Sequence, residues 1–199
     1  MASPSATQVA RILYKEMVEG DARKLVAESN DAATGGGARD LRFGSLKRVW
    51  PIVLLMFPQT EQVTRKRGGK SVQLTVQKGE FCWRESDGSV ARMDSYFEPP
   101  TDARPSEGRI RQIHSFPCLD ISLLPMVGVG NRVLLLLVQL HDGSVWPYYV
   151  EETTLRIPGK WDPRVAKDLL ACLAAERPKG RAMLGFRDFT TQLSYCNGK

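Results

Sequence analysis

The chain has 199 residues, 42% of them hydrophobic, which bounds it to about one domain and suffices for a real core. Lys and Arg number 28 against 22 Asp and Glu, and the formal charge of +6 favours a polyanionic partner, nucleic acid ahead of an anionic membrane surface. The four cysteines (Cys82, Cys118, Cys172, Cys196) and two histidines (His114, His141) are scattered, which excludes a structural zinc site and leads us to expect four reduced thiols in a cytoplasmic protein.

The first twenty residues, MASPSATQVARILYKEMVEG, lack the apolar run of a signal sequence. Within them Val9, Ile12, Leu13 and Met17 recur at helical spacing, and Gly20 follows as a stop signal, so a helix is predicted over Thr7–Val18. Lys24–Glu28 (KLVAE) reads as a short strand. The Gly-rich stretch NDAATGGGARDLRF follows, ending in an extended piece over Asp40–Phe43. Ser45 is placed as N-cap of a short helix near 45–57 (LKRVWPIVLLMF), inside which Pro51 implies a kink, a first-turn position or a break.

From residue 60 the pattern is β. The runs on either side of Gly68-Gly69 form a hairpin, and Val72, Leu74 and Val76 alternate with polar residues. Lys78-Gly79, Asp87-Gly88 and Asp142-Gly143 read as turns between strands, the Asp-Gly pairs most strongly. Glu98–Gln112 (EPPTDARPSEGRIRQ) is too long for a hairpin turn, and a loop of that length in a compact domain is usually functional or disordered. Asp162 is placed as N-cap and Pro163 as first residue of a C-terminal helix over Pro163–Ala175. The longest apolar runs, Val133–Leu140 and Ile52–Phe57, fall far short of the roughly 20 residues that span a bilayer, so no membrane association is expected.

Catalytic signatures are missing. The glycines of Gly35–Gly37 lead into Ala38-Arg39-Asp40 rather than GK[ST], which removes a P-loop, and no GxGxxG stands in a βαβ unit. The acidic pairs Glu80/Asp87 and Asp94/Glu98 lack the lysine a metal-dependent nuclease uses, and nothing ties either histidine to a nucleophile. No cofactor and no metal are expected.

Two segments share a different character. The first offers Asn30, Asp31, Thr34, Arg39, Asp40 and Arg42, with Gly36 in its glycine run; the second offers Arg104, Ser106, Glu107, Arg109 and Arg111. Arginine reads guanine, asparagine reads adenine and carboxylates accept from cytosine in the major groove. A purely electrostatic patch would exclude the acids, so their interleaving implies either base readout or carboxylates that hold arginines in a fixed rotamer. Lys47, Arg48, Arg65 and Lys66 are candidate phosphate contacts, which position rather than specify.

SNDAATGGGARDLRF resembles the N-terminal recognition arm of the DNA-binding domains of EcoRII-type restriction endonucleases, and SEGRIR, about seventy residues on, resembles their second arm. The resemblance spans residues from about 8 to 150. It implies a mainly β (α+β) fold, a seven-stranded open pseudobarrel of the B-three type whose two arms grip double-stranded DNA in the major groove. Gly37 and Arg39 depart from the best-known member, so the target sequence differs. The expected layout is an N-terminal helix (1–20), a pseudobarrel (21–150) with recognition arms at 29–42 and 102–112, and a C-terminal helix and tail (151–199). The expected function is sequence-specific duplex DNA recognition in a restriction-modification system. The catalysis then lies in a separate nuclease domain or subunit. The rival expectations are a small metal-dependent nuclease with an unfamiliar active site and a protein-interaction module whose charge is incidental.

Overall fold

The computed structural model describes residues 8–26, 40–67, 69–100, 104–128, 130–176 and 182–198. The run VARILYKEM is a strand, β1 (Val9–Met17), not the expected helix. It lies between β7 (Val133–Leu140) and β9 (Leu184–Asp188), antiparallel to both. Leu13 and Met17 face one core, and Ile12 and Tyr14 face the other. A register shift between Val9 and Arg11 turns Val9 onto the Ile12 side. An amphipathic helix keeps one face in water, whereas this strand is covered on both. Its polar residues are therefore paired, as burial requires. Arg11 donates to Asp188 at 3.0 Å and to Gln139 at 2.8 Å, Lys15 pairs with Asp21, and Glu16 accepts from Arg132 at 2.8 Å.

Lys24–Val26, expected to be extended, belong to helix α1 (Glu19–Val26). Acids in its first turn (Glu19, Asp21) and bases in its last (Arg23, Lys24) match the helix dipole. Helix α2 (Leu46–Met56) buries Leu46, Val49, Ile52, Val53 and Met56. Pro51 sits inside it on the exposed face, where water can take the carbonyl that lacks its donor. Ser45 occupies the N-cap position without capping chemistry: its backbone is left-handed (φ 50) and its side chain makes no cap bond.

The hairpin of β3 (Gln59–Arg67) and β4 (Lys70–Arg84) forms as expected, with Arg67 opposite Lys70. Lys78-Gly79 is not a turn, because β4 runs straight through it. The glycine is needed for close approach: a Cβ on Gly79 would lie 2.5 Å from the Met56 carbonyl oxygen. Asp87-Gly88 turns into β5 (Val90–Glu98) and Asp142-Gly143 joins β7 to β8 (Val145–Glu151). In both turns the glycine has φ near 85–88° and the aspartate accepts from the following serine N–H. The 98–112 segment is not all loop, since it contains β6 (Gly108–Ile110), which pairs with β2 (Leu41–Phe43).

The strands form one curled, half-barrel sheet of ten, in the order β10-β9-β1-β7-β8-β4-β5-β6-β2, with β3 added on β4 and β10 spanning Ser194–Cys196. The fold is mainly β, as expected, and the described residues form ten strands where seven were anticipated. Helix α2 and the rings of Phe43, Phe57, Phe81, Phe97 and Phe116 fill one side of the sheet. The other side is covered by α3 (Glu152–Leu155) and by α4 (Pro163–Leu173), which places Val165, Leu169, Cys172 and Leu173 in that core. Asp162 caps α4 by accepting from the Arg164 N–H at 2.8 Å, as the sequence indicates. The tail is not an appendage, because β9 and β10 extend the same sheet. Cys172 and Cys196 are disulfide-bonded, with Cα atoms 5.8 Å apart, which overturns the expectation of four reduced thiols; Cys82 and Cys118 are free and buried. No helix among the described residues is long and apolar enough to cross a membrane.

Candidate functional site

The pairing of β2 with β6 brings together the roots of the two segments singled out in the sequence. Arg42 stands opposite Arg109, and Arg109 stands opposite Glu98 of β5. Strand alternation then puts Glu98, Arg109, Arg111, Arg42 and Asp40 on one face of this sheet edge. The opposite face carries Phe97, Ile110, Leu41 and Phe43, all buried in the core. Gly108 permits that packing, since a Cβ there would lie 2.2 Å from the Phe97 ring.

The polar face is organised around two buried carboxylates. Glu98 has no exposed side-chain surface, and three guanidinium groups lie against its carboxylate. Arg109 donates to Oε2 from Nε at 3.0 Å and Nη2 at 2.6 Å; Arg65 Nε reaches Oε1 at 3.0 Å and Arg111 Nη1 at 3.4 Å. Asp40, also buried, lies 3.1 Å from Arg109 Nη1 and 3.6 Å from Arg111 Nε, and accepts from the Gln112 N–H at 3.3 Å. Burial pushes the Glu98 carboxyl up, but bonds from Arg109 and Arg65 outweigh it and hold the pKa below the ordinary value. The arginines remain partly open to solvent, with Arg65, Arg109 and Arg111 side chains 28%, 21% and 26% exposed.

A second, more open cluster adjoins it. Glu107 lies 3.3 Å from Arg104 Nη1 and 3.6 Å from Arg42 Nη1. The Ser106 carbonyl accepts from the Leu46 N–H at 3.1 Å and so ties the second segment to the start of α2. A cavity of about 350 Å³ opens beside Arg42, Arg104 and Glu107, walled by Lys15, Asp21 and Lys24. Burial lowers the Lys15 pKa, and the Asp21 carboxylate opposes that shift. A larger cleft of about 810 Å³, elsewhere, is lined by Glu16, Glu19 and Glu152 against Arg132, a charge balance unsuited to a polyanion.

Of the sequence-designated residues, the structure therefore joins Asp40 and Arg42 to Arg104, Ser106, Glu107, Arg109 and Arg111. Asn30, Asp31, Thr34, Gly36 and Arg39 lie outside the described residues, as does the side chain of Lys66. Lys47 and Arg48 are exposed in the first turn of α2, which carries no acid. Arg65, a candidate phosphate contact, donates through Nε to Glu98 and keeps part of its side chain open to solvent. Arg109 likewise donates to Glu98 through Nε and Nη2 and pairs with Asp40 by charge, so the carboxylates hold arginines, one of the two roles that interleaved charge implied. Glu98, weighed in the sequence only as a nuclease carboxylate, was missed as the partner of these arginines. Its one sequence signal is an acid at the end of YF and before Pro99-Pro100. Among the described residues no group of three or more His, Cys, Asp or Glu is placed to hold a metal ion. Comparison of the chain with family models, curated proteins and solved structures finds no match.

Proposed function

We propose that the chain is a sequence-specific duplex-DNA recognition domain of a restriction-modification system, with the two segments as its arms. One observation carries the reading. The β2–β6 pairing joins two distant segments into one face where five arginines (Arg42, Arg65, Arg104, Arg109, Arg111) surround three carboxylates (Asp40, Glu98, Glu107). The excess of positive charge suits a phosphodiester backbone, and the carboxylates fix the arginine geometry that base readout needs. Lys47 and Arg48 support it: cations at the positive end of a helix weaken that helix slightly, and they gain from an anion docked there.

In this reading the curled half-barrel is the body of the EcoRII-type pseudobarrel, with β2 and β6 at its rim. Arg42 and Arg104, the more open arginines, are held by Glu107 and reach the DNA, and Arg109 stands beside Arg42 across the β2–β6 pair. A separate nuclease domain or subunit supplies cleavage. The cytoplasmic location belongs to this reading too, and the Cys172–Cys196 disulfide stands against it, because reducing compartments disfavour such bonds.

Selection of bound sequences from a random duplex library tests the proposal. Convergence on a short common site supports it, and a pool that stays random after enrichment overturns sequence recognition.

A further inference from the structure

Glu98 is a buried carboxylate that touches three guanidinium groups from two separate parts of the chain. Arg65 comes from β3, on the hairpin added to β4, and Arg109 and Arg111 come from the second arm. Its neighbour in the row, Asp40, belongs to the root of the first arm and shares Arg109 and Arg111. A carboxylate taken fully out of water is costly unless charged partners surround it. An amide or apolar residue would be easier to bury at the end of β5, so the acid calls for a role beyond packing.

We propose that Glu98 is the positioning residue of the interface: it gathers Arg65, Arg109 and Arg111 into one rigid cationic platform, onto which a DNA phosphodiester docks. The inference rests on the DNA-binding reading. The geometry suits the task. Arg109 donates from Nε and Nη2 to Glu98, which fixes its plane, and its Nη1 forms an ion pair with Asp40 at 3.1 Å. Arg65 and Arg111 share the other oxygen, Oε1, so the three guanidiniums converge on one carboxylate while each keeps part of its surface open. Among the described residues the three guanidiniums over two carboxylates leave one net positive charge, enough to attract one phosphate and fixed in place before DNA arrives. Preorganisation of this kind lowers the ordering cost of binding. The β3–β4 hairpin thereby becomes a third element of the grip, aligned with the arms through Arg65.

The competing role is electrostatic. If Glu98 merely neutralised the arginines, its loss would leave them freer and more attractive to DNA. The test compares wild-type protein with Glu98→Gln and Glu98→Asp. Binding is measured on the duplex selected from the random library and on a scrambled duplex. The Arg Nε–H signals are followed by NMR without DNA. Positioning predicts protected, downfield Nε–H signals for Arg65 and Arg109 in wild type that are lost in Glu98→Gln. It also predicts that the ratio of selected to scrambled affinity falls by about tenfold or more in that variant. Glu98→Asp keeps the charge and the fold but withdraws the carboxylate, and its ratio should fall to an intermediate value. An unchanged ratio in both variants, or tighter binding of the selected duplex by Glu98→Gln, overturns the inference. Wild type that binds no duplex at low salt overturns the DNA reading instead, and the inference with it.

Discussion

Arg109 bridges the two arms at their roots: its Nη1 lies 3.1 Å from Asp40 Oδ2 while its Nη2 lies 2.6 Å from Glu98 Oε2. Both carboxylates are buried, so Arg109→Ala leaves two poorly compensated charges. Breaking a buried ion pair from one side is strongly destabilising, and the cost expected here is on the order of 3 kcal/mol. Denaturant unfolding reads this directly. A midpoint equal to wild type would mean that the network adds nothing to the fold.

Gly79 and Gly20 make a paired test of packing. A Cβ at Gly79 meets the Met56 carbonyl oxygen at 2.5 Å, with the Phe57 ring 3.0 Å away, and neither can move freely. Gly79→Ala should cost roughly 1–3 kcal/mol. Gly20 lies in α1 with nothing within 4 Å, so Gly20→Ala should leave stability unchanged or raise it by up to about 1 kcal/mol. Equal effects at the two sites would contradict the packing of β4 against the end of α2.

Asp188 sets an acid-sensitive contact in the sheet. Burial pushes its carboxyl up, but bonds from Thr190, from the Thr191 N–H and from Arg11 pull the pKa down from 3.8 to about 2. The folded value is the lower one, so the stability gained is complete above about pH 4 and is lost as pH falls through about 2. Asp188→Asn should therefore lower stability at neutral pH and flatten its decline between those limits. A wild-type acid profile in the variant would rule out this linkage.

The disulfide makes a chemical prediction. Alkylation of the denatured, oxidised protein without reductant should label Cys82 and Cys118 alone, and reductant should expose Cys172 and Cys196 as well. Cross-linking residues 24 apart in sequence constrains the unfolded chain, so reduction should cost about 3 kcal/mol of stability. Labelling of all four thiols without reductant would show that the bond does not form.

The parts of the fold legible in the sequence were those fixed by local chemistry. Asp87-Gly88 and Asp142-Gly143 require a left-handed glycine in a tight turn, and Asp162-Pro163 opens a helix by cap and ring geometry alone. β1 was not legible because its charged residues imitate a solvent face while being buried against distant partners, Arg11 with Asp188, 177 positions away. Lys78-Gly79 looked like a turn for the same reason: the contact that demands the glycine is made by α2, not by its neighbours. The site divides likewise. Its arginines and its two arm roots were visible from composition and order. Glu98 was not, because its meaning lies in three guanidiniums that only the pairing of β5, β6 and β2 and the fold of β3 bring to it.

A labelled random duplex titrated with the protein at several salt concentrations measures the interface most directly. If the arms grip the backbone, affinity falls steeply with salt, on a linear log–log slope of about −0.9 per neutralised phosphate, and Arg42→Ala makes that slope shallower by about one contact. Absence of duplex binding at low salt, or binding indifferent to salt, would contradict it.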